Sequence, residues 1–237
     1  MRIDKKDVLV VIPARSGSKG IPGKNVKKLN GKPLILYTIE LAKKMFSNEQ
    51  IVVNTDDLEL AALAKKHGAS IPFIRPQELA QDHSSSRDVI VHLLNTLKKS
   101  DSLPKAIMLL QPTSPLKELQ HLQESLDLFL NHNCDMVVSV VESKTNPYFN
   151  LFEEDENGYL NKSKPGIILR RQDMPPAYEF NGAIYIFKSD SILKSEMSEF
   201  KKTKKYVMSK ESSVDIDDEL DWKMAEFLLT KNEEIKD

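Results

Sequence analysis

The sequence predicts an α/β protein: a mostly parallel sheet with helices on both faces. Three observations carry this prediction. Apolar runs at residues 8–12, 106–110 and 136–141 read as strands buried on both sides. Stretches of helical periodicity alternate with them, as a doubly wound sheet requires. The first and fourth strands end in polar turns rich in glycine or proline, and ligands of open α/β sheets sit at that edge.

In chain order, residues 8–12 (VLVVI) form the first strand. Pro33 is placed to open a helix in which Leu34, Tyr37, Leu41 and Met45 recur at helical spacing. Residues 51–53 are a second strand, followed by a turn and N-cap at Asn54-Thr55-Asp56-Asp57 and a helix over 58–67 that Gly68 stops. Residues 71–74 read as a third strand. A polar loop precedes a helix from about residue 88 to 99. Strand 106–110, helix 119–131 and strand 136–141 continue the alternation.

The rhythm breaks at residues 142–178, which lack a long helix and carry Asn146-Pro147, Asn157-Gly158 and Pro175-Pro176 as turn signals. This segment reads as an excursion of short strands or hairpins. Residues 1–141 and 179–237 therefore form the α/β domain, with 142–178 inserted. The second part holds a strand at 183–187, a short helix at 190–196, a strand at 204–208 and a closing helix at 219–230.

The 237 residues suffice for one substantial core, and 40% hydrophobic with 29% charged residues is ordinary for a globular chain. A formal net charge of -1 offers no global basic field for nucleic acid. Cys134 stands alone, which excludes an intrachain disulfide and a multi-cysteine zinc site. No run approaches the roughly 20 apolar residues of a membrane span. The expectation is a cytoplasmic protein without membrane insertion.

Residues 8–32 carry the strongest chemical signal. The strand empties into Gly17, Gly20 and Gly23 interleaved with Arg15, Lys19 and Lys24. Glycines let backbone N–H groups turn toward an anion, and the cations neutralise it. The spacing matches neither the P-loop nor the dinucleotide fingerprint. The alternatives are a polyphosphate site or a plain βα turn with exposed lysines. Asp215 and Asp217 fall on one side of an extended segment with Ile216 on the other. Two adjacent carboxylates suit Mg²⁺, though acids at a helix N-terminus suit the dipole equally well. Gln111 and Thr113 can hydrogen-bond a polar ligand at a strand end, or belong to a simple turn. Arg170-Arg171 suits a carboxylate or a surface ion pair. The five histidines are scattered, and no Ser-His-Asp arrangement is arguable.

Taken together, IPARSGSKGIPGKN, NTDD, RPQELAQDHSSS, LLQPTSPL, RRQDMPPAYEFNGAIYIF and SVDIDDELD resemble the acylneuraminate cytidylyltransferases, the CMP-sialic acid synthetases, in order along most of the chain. The resemblance implies a three-layer Rossmann-like nucleotide-diphospho-sugar transferase fold with a small dimerisation excursion, and a homodimer. It implies that CTP and a nine-carbon 2-keto sugar acid give a CMP-sugar and pyrophosphate. By matching positions, Arg15, Ser18, Lys19 and Lys24 would hold the triphosphate. Asn25, Arg75, Ser84 and Ser86 would surround the nucleoside. Gln111, Arg171 and Asn181 would face the sugar acid, and Asp215 and Asp217 would bind Mg²⁺. Arg15, Lys19 and Asp217 would carry catalysis. Glu179 stands where the sialic acid enzymes carry a second arginine, which favours legionaminic or pseudaminic acid over sialic acid, legionaminic first. CMP-Kdo synthetases share the reaction but fit the first loop less well. Another sugar nucleotidyltransferase, or a non-catalytic nucleotide-binding protein, are the competing readings.

Overall fold

The computed structural model describes residues 3–17, 20–81, 84–99, 103–166, 170 and 173–234. Strand β1 (Val8–Pro13) is an interior strand of a six-stranded sheet. Val8, Val10 and Ile12 point to one face, and Val11 to the other. Both faces are covered, so the strand is apolar throughout rather than alternating.

The chain leaves β1 through the glycine-rich loop and a two-residue ladder, β2 (Lys28–Leu29) with β3 (Lys32–Pro33). Helix α1 (Leu34–Lys43) starts directly after Pro33, then β4 (Ile51–Asn54) returns parallel to β1. Helix α2 (Leu58–Lys66) is capped by Asp57, whose carboxylate accepts from the amides of Glu59 and Leu60. Helix α3 (Ser86–Lys98) begins with the capping pair Ser85 and Asp88. Strand β5 (Ala106–Leu110) lies on the other side of β1, and helix α4 (Leu119–Leu130) leads to β6 (Met136–Glu142).

Residues 71–74 are not a strand. Only Ser70 bridges, to Val52, and Pro72 supplies no N–H to extend the ladder. The chain turns instead, and the Arg75 amide donates to the Thr55 carbonyl at 2.8 Å.

Within residues 142–178, β7 (Phe152–Glu154) and β8 (Leu160–Lys162) form an antiparallel hairpin. Strand β9 (Tyr178–Lys188) then inserts antiparallel between β5 and β6. Its register with β6 shifts between Val138 and Val140. At this bulge the buried Ser139 hydroxyl donates to Asn181 Oδ1 at 2.6 Å and accepts from the Ile184 amide at 2.8 Å. Helix α5 (Ser189–Lys194), edge strand β10 (Thr203–Val207), parallel to β6, and helix α6 (Glu219–Glu234) complete the chain. The sheet order is β10-β6-β9-β5-β1-β4.

Two cores flank this sheet. One packs α1, α2 and α4 through Ile35, Ile39, Leu60, Leu122 and Phe129. The other packs α3 and α5 through Ile90, Leu93, Leu94 and Ile192. A third, smaller core joins Ile21 and Leu29 of the front loop to Ile216, Trp222 and Ala225. Ile216 is fully buried there, which is worth about 1.5–3 kcal/mol. Apolar packing therefore draws two segments almost 200 residues apart to the same sheet edge. No helix among the described residues is long and apolar enough to cross a membrane.

Candidate active site

A cleft of about 350 Å³ opens at the carboxyl ends of β1 and β5. Arg15, Lys24 and Asn25 line it from the front loop. Arg75 contributes from the segment after β4, Ser84 and Ser86 from the start of α3, and Gln111 from the end of β5. Asp217 closes it from the acidic segment before α6. Eight of the residues expected at the site thus share one cavity. Ser18, Lys19 and Arg171 lie outside the described residues.

The front loop and the acidic segment meet directly. The Lys24 ammonium, almost wholly buried, donates to the Ile216 carbonyl and lies 3.6 Å from Asp217 Oδ1. That carbonyl belongs to the residue between the two acids, so one cation holds the acid pair in place. The Ile216 amide donates to the Thr113 carbonyl at 2.8 Å, tying the same segment to the loop after β5. Asn25 Nδ2 donates to the Arg15 carbonyl at 3.2 Å and fixes the loop's path.

Asp215 lies behind Asp217. Ser114 Oγ donates to Asp215 Oδ1 at 3.4 Å. A β-carbon on Gly182 would sit 2.8 Å from Asp215 Oδ2, and Gly182 also has a positive φ of +75°. Both facts demand glycine at this position. Burial pushes the Asp215 carboxyl up, and neighbouring Asp217 pushes it further, against a hydrogen bond from Thr113 and the charges of Lys24 and Lys117. Two hard oxygen donors under this mutual repulsion are suited to a divalent cation. No cage of three or more His, Cys, Asp or Glu side chains occurs among the described residues. The remaining ligands of such an ion would be substrate phosphate oxygens and water, the usual arrangement for Mg²⁺.

Arg75 is buried beneath the cleft, with its guanidinium on the Asn54 carbonyl and side-chain oxygen. Desolvation pulls it down to about 10, partly offset by the charge of Asp56. It stays cationic at neutral pH. Asn181 does not line the cavity. Its Oδ1 accepts from Ser139, and its Nδ2 donates to Ser213 Oγ at 2.9 Å, so both ends of the amide are engaged by protein. Glu179 Oε1 accepts from the hydroxyls of Ser143 and Thr145.

Sequence reasoning missed Lys117. Its ammonium is buried behind the loop after β5, donating to the carbonyls of Gln111, at 2.6 Å, and Ser114. Desolvation lowers it to about 7, with Asp215 opposing. A lysine preceding an acid at the start of a helix carries no signal of such burial.

A doubly wound sheet whose strand ends form a cleft with cations on one wall and acids on another is a nucleotide-binding α/β enzyme scaffold. The chain belongs to the cytidylyltransferase family, whose model matches residues 9–235. It is 35% identical over 234 residues to a CMP-N,N'-diacetyllegionaminic acid synthase of Legionella pneumophila, covering 96% of this chain and 98% of that protein. It is 35% identical over 211 residues to an N-acylneuraminate cytidylyltransferase of Streptococcus agalactiae, covering 88% of this chain but 50% of that protein. The solved structure of a CMP-2-keto-3-deoxy-manno-octonic acid synthetase complexed with CTP superposes with a TM-score of 0.69 at 18% identity, covering 95% of this chain and 99% of the other.

Proposed function

We propose that the protein couples CTP to a nine-carbon 2-keto sugar acid, giving the CMP-sugar and pyrophosphate. The observation that carries this reading is the junction of Lys24 with the Asp215–Asp217 segment, where the two walls of the cleft meet. Arg15 and Lys24, with Ser18 and Lys19, hold the triphosphate. Asn25, Arg75, Ser84 and Ser86 surround the nucleoside, while Gln111, Arg171 and Asn181 belong to the sugar-acid side. The anomeric 2-hydroxyl attacks the α-phosphorus in line. The new P–O bond forms as the bond to pyrophosphate breaks, and the hydroxyl proton is released. Charge grows on the departing pyrophosphate, so catalysis is positioning plus electrostatics. Asp215 and Asp217 would hold Mg²⁺, which supplies neutralisation of phosphoryl charge when bound.

Legionaminic acid is the preferred substrate in this reading. Glu179, held by Ser143 and Thr145, cannot pair with a carboxylate. Residues 142–178 form the inserted unit that packs on a second copy in a homodimer. The exposure of Leu151, Phe152, Tyr159 and Leu160 on and beside its hairpin supports that role. The enzyme works in the cytoplasm.

Pyrophosphate release measured with CTP and UTP against legionaminic, pseudaminic and N-acetylneuraminic acids tests the reading. Turnover with CTP and fastest with legionaminic acid is expected. A clear preference for N-acetylneuraminic acid overturns the sugar assignment, and no release with any pair overturns the activity.

A further inference from the structure

Asp56 is a carboxylate with no role in the reaction as described, yet it sits behind a site built for a polyanion. Its neighbour Asp57 is accounted for as the cap of α2. Asp56 faces the other way, toward the front loop. Its Oδ1 accepts from the Ser16 amide at 3.0 Å, and its Oδ2 accepts from the Ser16 hydroxyl at 2.5 Å. Ser16 directly follows Arg15 and opens the glycine-rich turn, where a β-carbon on Gly17 would meet nothing within 4 Å.

The surroundings of Asp56 are cationic. Arg15 and Arg75 both line the cleft, and the charge of Arg15 disfavours the charged form of Arg75. The negative charge of Asp56 favours the charged form of Arg75. The strand end beneath is already rigid. The Ala14 amide donates to the Asn54 carbonyl at 3.0 Å, the Arg75 guanidinium clasps Asn54, and Thr55 is fully buried. Asp56 therefore projects from a fixed base to the residue that opens the loop.

We propose that Asp56 is a positioning residue for the phosphate-facing loop: its two hydrogen bonds to Ser16 fix where the backbone enters the glycine-rich turn. The ligand it serves is the polyphosphate of the nucleotide, so the inference rests on the function proposed above. A paired carboxylate bonded to both a backbone amide and a hydroxyl defines position more tightly than either bond alone. Prepaying this order lowers the cost of binding a triphosphate.

The test is CTP binding by titration calorimetry, with no sugar acid present, for the wild type and for Asp56→Ala, Asp56→Asn, Ser16→Ala and the double variant Asp56→Ala/Ser16→Ala. Loss of the charge-assisted pair is expected to weaken CTP binding about tenfold in Asp56→Ala and about threefold in Asp56→Asn. The double variant is expected to bind within about twofold of Asp56→Ala, because the two residues act as one unit. In turnover assays the KM for CTP should rise while the KM for the sugar acid stays put, a split that general destabilisation would not produce. Asp56→Ala binding CTP as well as the wild type, or effects of the two residues that multiply, overturns the proposal. If Asp56→Ala does not fold, Asp56→Asn binding CTP as the wild type does overturns it equally. A wild type that does not bind CTP overturns the proposed function itself, and this inference with it.

Discussion

Gly20 faces the main-chain carbonyl of Asp217 so closely that a β-carbon at residue 20 would lie 1.9 Å from that oxygen. The front loop and the acidic segment are therefore in backbone contact, and no side chain fits between them. Gly20→Ala must push the two walls of the cleft apart, at a cost of about 1–3 kcal/mol by the usual scale of overpacking. A lower Tm with strongly weakened CTP binding is expected. Unchanged CTP affinity in that variant would mean the two walls do not act on one ligand.

Asp217 offers the complementary experiment. Its side chain is 81% exposed, and the buried Lys24 ammonium keeps its bond to the Ile216 carbonyl when the carboxylate is removed. Asp217→Ala should retain the wild-type Tm and circular dichroism spectrum while losing about a hundredfold or more of turnover, the scale set by deleting one electrostatic stabiliser of a phosphoryl or acyl transition state. Near-normal turnover places the metal elsewhere.

Asn181 separates a structural role from a substrate role. With its amide joined to Ser139 and Ser213, Asn181→Ala removes two hydrogen bonds, one to the buried Ser139 hydroxyl and one to the half-buried Ser213 hydroxyl. A loss of about 1–3 kcal/mol in stability is expected, read as a fall in Tm. If the residue also faces the sugar acid, the KM for that acid rises at temperatures where the variant is fully folded.

The buried ammonium of Lys117 makes stability depend on pH. In the unfolded chain it holds its proton up to 10.5, but in the fold only up to about 7. Between these values the unfolded chain binds the extra proton, so stability from this group rises with pH across that window, and the penalty is greatest below 7. The difference in Tm between wild type and Lys117→Met should shift in favour of the wild type from about pH 6 to pH 9. A difference that is flat with pH refutes the buried titration.

The hairpin predicts assembly. Tyr159 and Leu160 are 71% and 67% exposed at its tip. Leu160→Glu is expected to give a monomer by light scattering where the wild type is a dimer, because a charge at the centre of an apolar contact is left without a partner. A wild-type monomer at working concentration removes the dimer from the account.

Much of this was legible in the sequence, for local reasons. The runs at β1 and β5 are apolar because both their faces are covered, and such runs announce themselves. The glycines and cations after β1 pointed to an anion site because glycine and charge are chemically explicit, and the structure brings Arg15, Gly20 and Lys24 to the cleft. The expected strand at 71–74 failed because a short apolar stretch outweighed Pro72, which the ladder cannot accommodate. Strand β9 was readable as a strand, but not as one running antiparallel between β5 and β6, since pairing partners distant in sequence leave no local mark. Lys117 went unread, and Asp56 was read only as part of a turn, for a related reason. One is defined by carbonyls that close over it, and the other by a serine forty residues away.

The reversed direction of β9 has a further consequence. Tyr178 pairs with Glu142, so the excursion between them departs and returns side by side, at the rim where the strands β1 and β5 terminate. Its contents can be exchanged as a cassette without rethreading the sheet or disturbing the triphosphate anchors. Sugar preference could thus diversify by grafting one short insert while the chemistry of nucleotide activation is inherited intact.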